Sequence, residues 1–172
     1  MPEIEIRRIR DESDAEPCDA LFREYALWLL DQMLTVNGLD LRDSGQAVHD
    51  DFRAEWPKLF GERGRMYLML VDGEPAGVGA LKPYSDKEAE LKRVYVKPDY
   101  RGGGHARRLV EQVITDARDL NYTSVVLESL NFMADAQTLY RSLGFLDIPR
   151  FDGTEGGAHG VEAFEVFMRL QL

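Results

Sequence analysis

Cysteine is nearly absent from this chain. Of its 172 residues only Cys18 carries a thiol, so no internal disulfide can form and no cysteine-rich metal site exists. Histidine is also scarce. His49, His105 and His159 lie far apart and lack metal-ligand spacing, so no metal is expected. No run of about 18 apolar residues occurs, which argues against a membrane-spanning helix. The opening "MPEIEIRRIR" is charged and alternating, without the apolar centre of a secretory leader, and a cytoplasmic location is expected. Positive charge is in deficit: 21 Lys and Arg stand against 31 Asp and Glu, a formal net charge of −10. Nucleic-acid surfaces are basic, so nucleic acid is not an expected partner. The acidic field would attract a cation such as an amine, although acidity also serves simply to keep a protein soluble. An anionic ligand would need a local positive site.

What is present is enough for one sizeable core, since 44% of the residues are hydrophobic. No repeat, low-complexity tract or linker interrupts the chain, and residues 1–172 read as one domain. "IEIRRI" (4–9) alternates as a half-buried strand does. From Asp14 a helical stripe runs through Cys18, Leu21, Phe22, Tyr25, Leu29, Met33 and Val36, and the "NG" at 37–38 stops it. A shorter helix is expected over Ala47–Leu59. Strands follow at 66–71, across the "DGEP" turn at 76–84, and at 89–96. Downstream, strands and helices alternate. The apolar stripe from Ala106 to Leu120 is a helix, "SVVLES" a short buried strand, and Ala136 to Leu143 another helix with Gly144 at its end. A strand near 145–151, the loop "DGTEGGAHG" and an alternating last strand in "VEAFEVFMRL" complete the chain.

The most informative stretch is "VYVKPDYRGGGHARRLVEQVI" (94–114), where three glycines sit between a strand and a helix. A helix start presents unpaired N–H groups and the positive end of a dipole. Glycine lets the backbone come close to an anion there, and Arg101 adds a cation. The stretch therefore reads either as a pyrophosphate cradle or as a flexible strand-to-helix turn. Two familiar phosphate motifs do not fit. A dinucleotide fingerprint from Gly102 needs a third glycine or alanine where Arg107 stands, and "GHA" is not the Gly-Lys-Ser/Thr of a P-loop.

The stretch resembles the GNAT superfamily of acetyl-CoA-dependent N-acetyltransferases. Their signature V-x-P-x-x-R/Q-x-x-G-x-G/A is filled by Val96, Pro98, Arg101, Gly104 and Ala106. "GEPAGVGALKPY" is similar to the family's "dGepvG" hairpin, and "TLYRSLGF" (138–145) to its "ALYxxLGF". The likeness covers residues 64–151 in order and spacing, while the first 60 residues match as a pattern of one strand and two helices. It implies an α/β fold: a mixed, twisted sheet of six to seven strands, helices on both faces, and a splay between the parallel fourth and fifth strands. Acetyl-CoA is the implied cosubstrate. Its pantetheine would lie in the splay against Val94, Tyr95 and Val96, and its pyrophosphate would meet the amides of Gly102, Gly103, Gly104, His105, Ala106 and Arg107. His105 is expected to lend its amide and turn its side chain outward.

The resemblance also implies catalytic roles. Glu90 stands where several relatives carry a general base, and its other reading is a structural strand carboxylate. A β-bulge in that strand would change which face each residue occupies. Tyr140 matches a tyrosine that can protonate the departing thiolate, and its other reading is a core aromatic with one polar end. Many relatives place a pantetheine-contacting asparagine three residues before the helix alanine. Counting back from Ala136 reaches Met133, with Asn131 two residues earlier, so either contact stays open. The acceptor site would be built from residues 28–60 and 152–160, which hold Trp28, Asp31, Asp43, Asp50, Asp51, Trp56, Asp152 and Glu155. These suit an ammonium or guanidinium, or form a solvated acidic surface. Polyamines, amino acids, aminoglycosides and peptide N-termini all remain open as small-molecule or peptide amine partners, on a monomer or homodimer. The reading from another class is a non-catalytic acyl-CoA-binding or regulatory module on the same fold.

Overall fold

Alternation in "IEIRRI" makes a strand because successive side chains leave opposite faces of the backbone. Strand β1 spans Ile4–Ile9 in the computed structural model, which describes residues 1–154 and 160–172. Its antiparallel neighbour β2 (Arg65–Val71) sends Tyr67 and Met69 to one face of the sheet and Met66, Leu68 and Leu70 to the other. The turn into β3 (Glu74–Pro83) uses Asp72 at φ 50° and Gly73 at φ 83°, the consecutive left-handed residues that match strand twist. Strands β4 (Glu88–Val96), β5 (Ser124–Leu130), β6 (Leu146–Ile148) and β7 (Glu165–Gln171) complete one sheet in the order β1-β2-β3-β4-β5-β7-β6. Its ladders are antiparallel except between β4 and β5.

Helices cover both faces. Helix α1 (Glu16–Asn37), α2 (Gly45–Ala54) and α3 (Trp56–Phe60) pack over Leu68, Val78 and Ala80. On the opposite face α4 (His105–Asp119) and α5 (Ala134–Ser142) cover Met69, Leu91 and Val125. No helix among the described residues is long and apolar enough to cross a membrane.

Several boundaries differ from the sequence expectation. Asp14 belongs to a 3-10 turn at Glu12–Asp14, and α1 begins two residues later with proline in its first turn. The helix expected over 47–59 is two helices. Pro57 has no N–H to offer the carbonyl of Arg53, so α2 stops and α3 restarts with the proline in its first turn, where it is tolerated. Strand β6 is three residues long, and a 3-10 turn at Glu162–Phe164 delays β7. Within the loop 152–160, Glu155 and His159 lie outside the described residues.

The feature that shapes the site is in β4. Leu91 faces Leu81 and Lys92 faces Ala80, but the next pair on β3, Val78, faces Tyr95. One residue of β3 thus stands opposite Arg93 and Val94 together, and Arg93 adopts φ 55°. The extra residue reverses the alternation. Before it, Ala89 and Leu91 face the α4 side, and beyond it Val94 and Val96 do, while Tyr95 joins the α1 side. Strand β4 also parts from β5 early. Only Glu88, Ala89 and Glu90 find partners, in Ser124, Val125 and Val126. Past that point the two facing edges have no strand between them.

Candidate active site

The unpaired edges matter because backbone N–H and C=O groups taken out of water need partners. The gap between β4 and β5 opens into a cleft of about 600 Å3. Its walls are Val94, Tyr95 and Val96 of β4, Leu127, Glu128 and Ser129 of β5, and the first turns of α4 and α5. At one end lies the glycine loop. Gly102 at φ 82° and Gly104 at φ 76° hold conformations that side chains resist, and a Cβ on either would meet no atom within 4 Å. The space around them is therefore open on the cleft side. Gly104 precedes α4 without any side-chain cap, and the first helical bond runs from the Arg108 N–H to the Gly104 carbonyl. The N–H groups of His105, Ala106 and Arg107 consequently have no acceptor within the helix.

Two arginines flank this turn. Arg101 donates from Nε to the Val96 carbonyl at 2.9 Å, and its guanidinium lies 5.5 Å from the Trp28 ring and 5.8 Å from the Tyr95 ring. Arg107 donates to Ser142 Oγ at 2.7 Å, tying α4 to α5. The expected outward His105 side chain is instead buried, because the imidazole folds back over Gly103, where a Cβ would stand 2.7 Å from Nε2. Its Nδ1 is buried without a hydrogen-bond partner, an orphaned polar atom beside uncapped amides.

Tyr140 lines the cleft from α5. It is 8% exposed, with its ring 5.7 Å from that of Phe145. Burial, and then the nearby Tyr25, pushes its phenol well above the usual tyrosine range. Tyr25 stacks on Tyr95 at 5.4 Å and on Trp28 at 6.1 Å, and Phe132 meets Trp28 edge-on at 5.8 Å, so an aromatic row bridges α1, β4 and the end of β5.

A second cavity of about 130 Å3 opens on the α1–α2 side. Tyr25, Leu91, Lys92, Arg93, Glu128, Ser129 and Met133 belong to the walls of both cavities, so the two meet where β4 and β5 diverge.

Of the residues singled out from sequence, Val94, Tyr95, Val96, Arg101, Gly102, Gly104, His105, Ala106, Arg107, Met133, Ala136 and Tyr140 line the cleft. Three do not. Gly103 is turned toward the His105 ring. Asn131 exchanges side-chain hydrogen bonds with Asn37 at 3.1 and 2.9 Å, which ties its amide to the end of α1. Glu90 is 1% exposed and lies outside both cavities. Its carboxylate sits 2.9 Å from Lys92 Nζ and 3.2 Å from Lys82 Nζ. Lys82 continues to Glu55 at 2.6 Å, and Arg93 approaches Glu55 at 3.6 Å. Burial opposes the Lys82 charge, but Glu90 and Glu55 outweigh it and raise the ammonium above its ordinary value. Among the acceptor candidates, Trp28 lines the cleft and Asp51 the smaller cavity, whereas Trp56 is buried in the core and Asp31, Asp43, Asp50 and Asp152 are exposed. Glu128, on the wall shared by both cavities, escaped the sequence reading. Its signal was a carboxylate inside the apolar run "SVVLES".

The acetyltransferase (GNAT) family profile matches residues 27–145. An uncharacterised N-acetyltransferase of Schizosaccharomyces pombe is 31% identical over 171 residues, covering 98% of this chain and 95% of its own length. The uncharacterised N-acetyltransferase YjgM of Escherichia coli K12 is 30% identical over 118 residues, 66% of this chain and 71% of that one. Among solved structures, the PaiA N-acetyltransferase of Thermoplasma acidophilum, in complex with coenzyme A, matches with a TM-score of 0.71 at 17% identity over 99% of each chain.

The ion cluster generates a prediction. Glu90→Gln leaves two buried ammonium groups without their shared counter-charge, and is expected to lower unfolding stability by about 3 kcal/mol. Urea denaturation checks this. A change within about 0.5 kcal/mol, as for an ordinary surface substitution, would contradict a structural role for Glu90.

Proposed function

The chain is a member of the acetyltransferase (GNAT) family, and from that membership we propose that it transfers the acetyl group of acetyl-CoA directly to a primary amine held beside it in a ternary complex. We take residues 1–172 as one catalytic domain. The observation that carries this reading is the continuity of the site. An uncapped helix start, a gap between strand edges and a second cavity adjoin one another in that order along the splay.

The residues fit the cosubstrate. The amides of 105–107, opened by Gly102 and Gly104 and backed by Arg101 and Arg107, suit a pyrophosphate. His105 Nδ1, buried and unpartnered, adds a polar atom that an anion or its water would satisfy. The edge at Val94–Val96, which no strand pairs on the cleft side and whose Val96 carbonyl accepts from Arg101, suits an amide-bearing arm, which would add to the sheet as an extended peptide does. Met133 and Ala136 supply apolar contact opposite. Acetyl-CoA supplies the activated acyl thioester. The protein must then take a proton from the amine and give one to the sulfur.

We assign the first task to Glu128, which lies on the wall of both cavities, rather than to Glu90, which is buried outside both. The second task falls to Tyr140. A phenol raised by burial stays protonated through the working range, since its ordinary value is already near 10. It would release its proton to a thiolate emerging in the same dry surroundings, where burial raises the thiol as well. Because the shift is upward, Tyr140 should contribute no falling limb to the rate below about pH 9.5.

Two experiments test this reading. Gly104→Val places a β-branched residue at a left-handed position and is expected to weaken coenzyme A binding by about 2 kcal/mol. Calorimetry on a folded variant with unchanged affinity would remove the cradle. For the chemistry, Tyr140→Phe keeps the packing against Phe145 and removes the donor. It should lower kcat about 100-fold while coenzyme A affinity and Tm stay nearly unchanged. Glu128→Gln should lower turnover at neutral pH and recover part of it toward about pH 9.5, as the amine loses its own proton. Wild-type turnover in either variant would withdraw that residue's role.

A further inference from the structure

The two cavities differ in character. The larger cleft carries the charged and backbone groups of the glycine loop, whereas the smaller is mainly apolar beyond its junction with the cleft. Its far wall is Leu29, Leu30 and Met33 of α1, Leu41 ahead of α2, Val48 of α2, and Val161. Three of the four charged side chains, Lys92, Arg93 and Glu128, lie on the wall shared with the cleft, and Asp51 is the remaining one. Lys92 and Arg93 also meet Glu90 and Glu55, so they do not belong to Glu128 and Asp51 alone. The chain's overall charge of −10 is not concentrated here.

Size sets a second limit. A lobe of about 130 Å3 is close to the volume of an apolar protein cavity that holds one benzene molecule, about 150 Å3. It therefore accepts a substituent of roughly five or six carbon atoms. A second ammonium carried on such a substituent would have to leave water against leucine, methionine and valine, where the lobe's own carboxylate, Asp51, is already engaged. Burying a charge without a partner costs far more than burying a methyl group returns.

We infer that the acceptor is a compact primary amine with one branched-alkyl or aryl substituent, the amine at the junction beside Glu128 and the substituent in the lobe, and that polyamines are excluded. The inference rests on the acetyl-transfer reading for the amine's position, and on the lobe itself for the substituent.

The test compares 3-methylbutylamine with 1,4-diaminobutane, which have equal numbers of heavy atoms and differ in a terminal ammonium. Each is titrated by calorimetry into protein saturated with coenzyme A, and each is assayed with acetyl-CoA by thiol release. The branched amine is expected to bind at least tenfold more tightly and to have the larger kcat/KM. Leu41→Glu, which places a carboxylate at the apolar end outside both main cores, is expected to shift the preference toward the diamine by at least tenfold. Equal or tighter binding of the diamine by the unaltered protein, or no binding of either amine, would overturn the inference. Binding preference for the branched amine without thiol release would support the inference and overturn the acetyl-transfer reading instead.

Discussion

Three rungs join β4 to β5, and the site depends on their ending at Glu90 and Val126. Were the ladder to continue, the carbonyls and amides of Val94–Val96 would be spent on a neighbouring strand, and neither cavity would exist. The inserted residue at Arg93 is the local irregularity that accompanies the parting. A bulge bends its strand and increases its twist, so β4 turns away from β5 while its far edge stays paired to β3. The cleft is a consequence of backbone geometry before any side chain contributes to it.

The same insertion sorts the charges. Its reversal of facing keeps Leu91, Val94 and Val96 together on the α4 side, where they form the floor of a core, and leaves Glu90 and Lys92 with Lys82 under the α2–α3 junction. Buried charges are tolerable only when paired. The chain Lys92–Glu90–Lys82–Glu55, with Arg93 approaching Glu55, meets that requirement and links two strands to the helices beside the smaller cavity. Arg93 also lies 3.8 Å from the Phe52 ring. The wall between the two cavities is therefore tied to the neighbouring strands and helices through Lys92 and Arg93.

Much of this was legible in the sequence where local chemistry decides structure. The hairpin at Asp72–Gly73, the end of α1 at Gly38 and the glycine turn ahead of α4 are set by dihedral preferences that single residues declare. The signature from Val96 to Ala106 pointed to the correct turn and helix, and "TLYRSLGF" to the helix bearing Tyr140. What escaped depends on distant partners. The bulge is a mismatch of register between β3 and β4, so the face of Glu90 could not be counted off. Asn131 looked equivalent to Met133 until its amide was found engaged by Asn37, 94 positions away. His105 folded inward because Gly103 leaves room for a ring, a contact that spacing does not reveal. Glu128 was hidden for the opposite reason: an apolar strand invites reading as core, and only the parting of β4 and β5 brings its carboxylate to a cavity.

The central claim is that the open strand edge and the uncapped helix start together hold coenzyme A. Amide hydrogen exchange with and without coenzyme A tests it most directly. Protection should appear in two segments at once, Val94–Val96 and residues 102–107, with β1 and β6 unaffected. Binding that leaves both segments exchanging as before, or that protects a different edge of the sheet, would contradict the account.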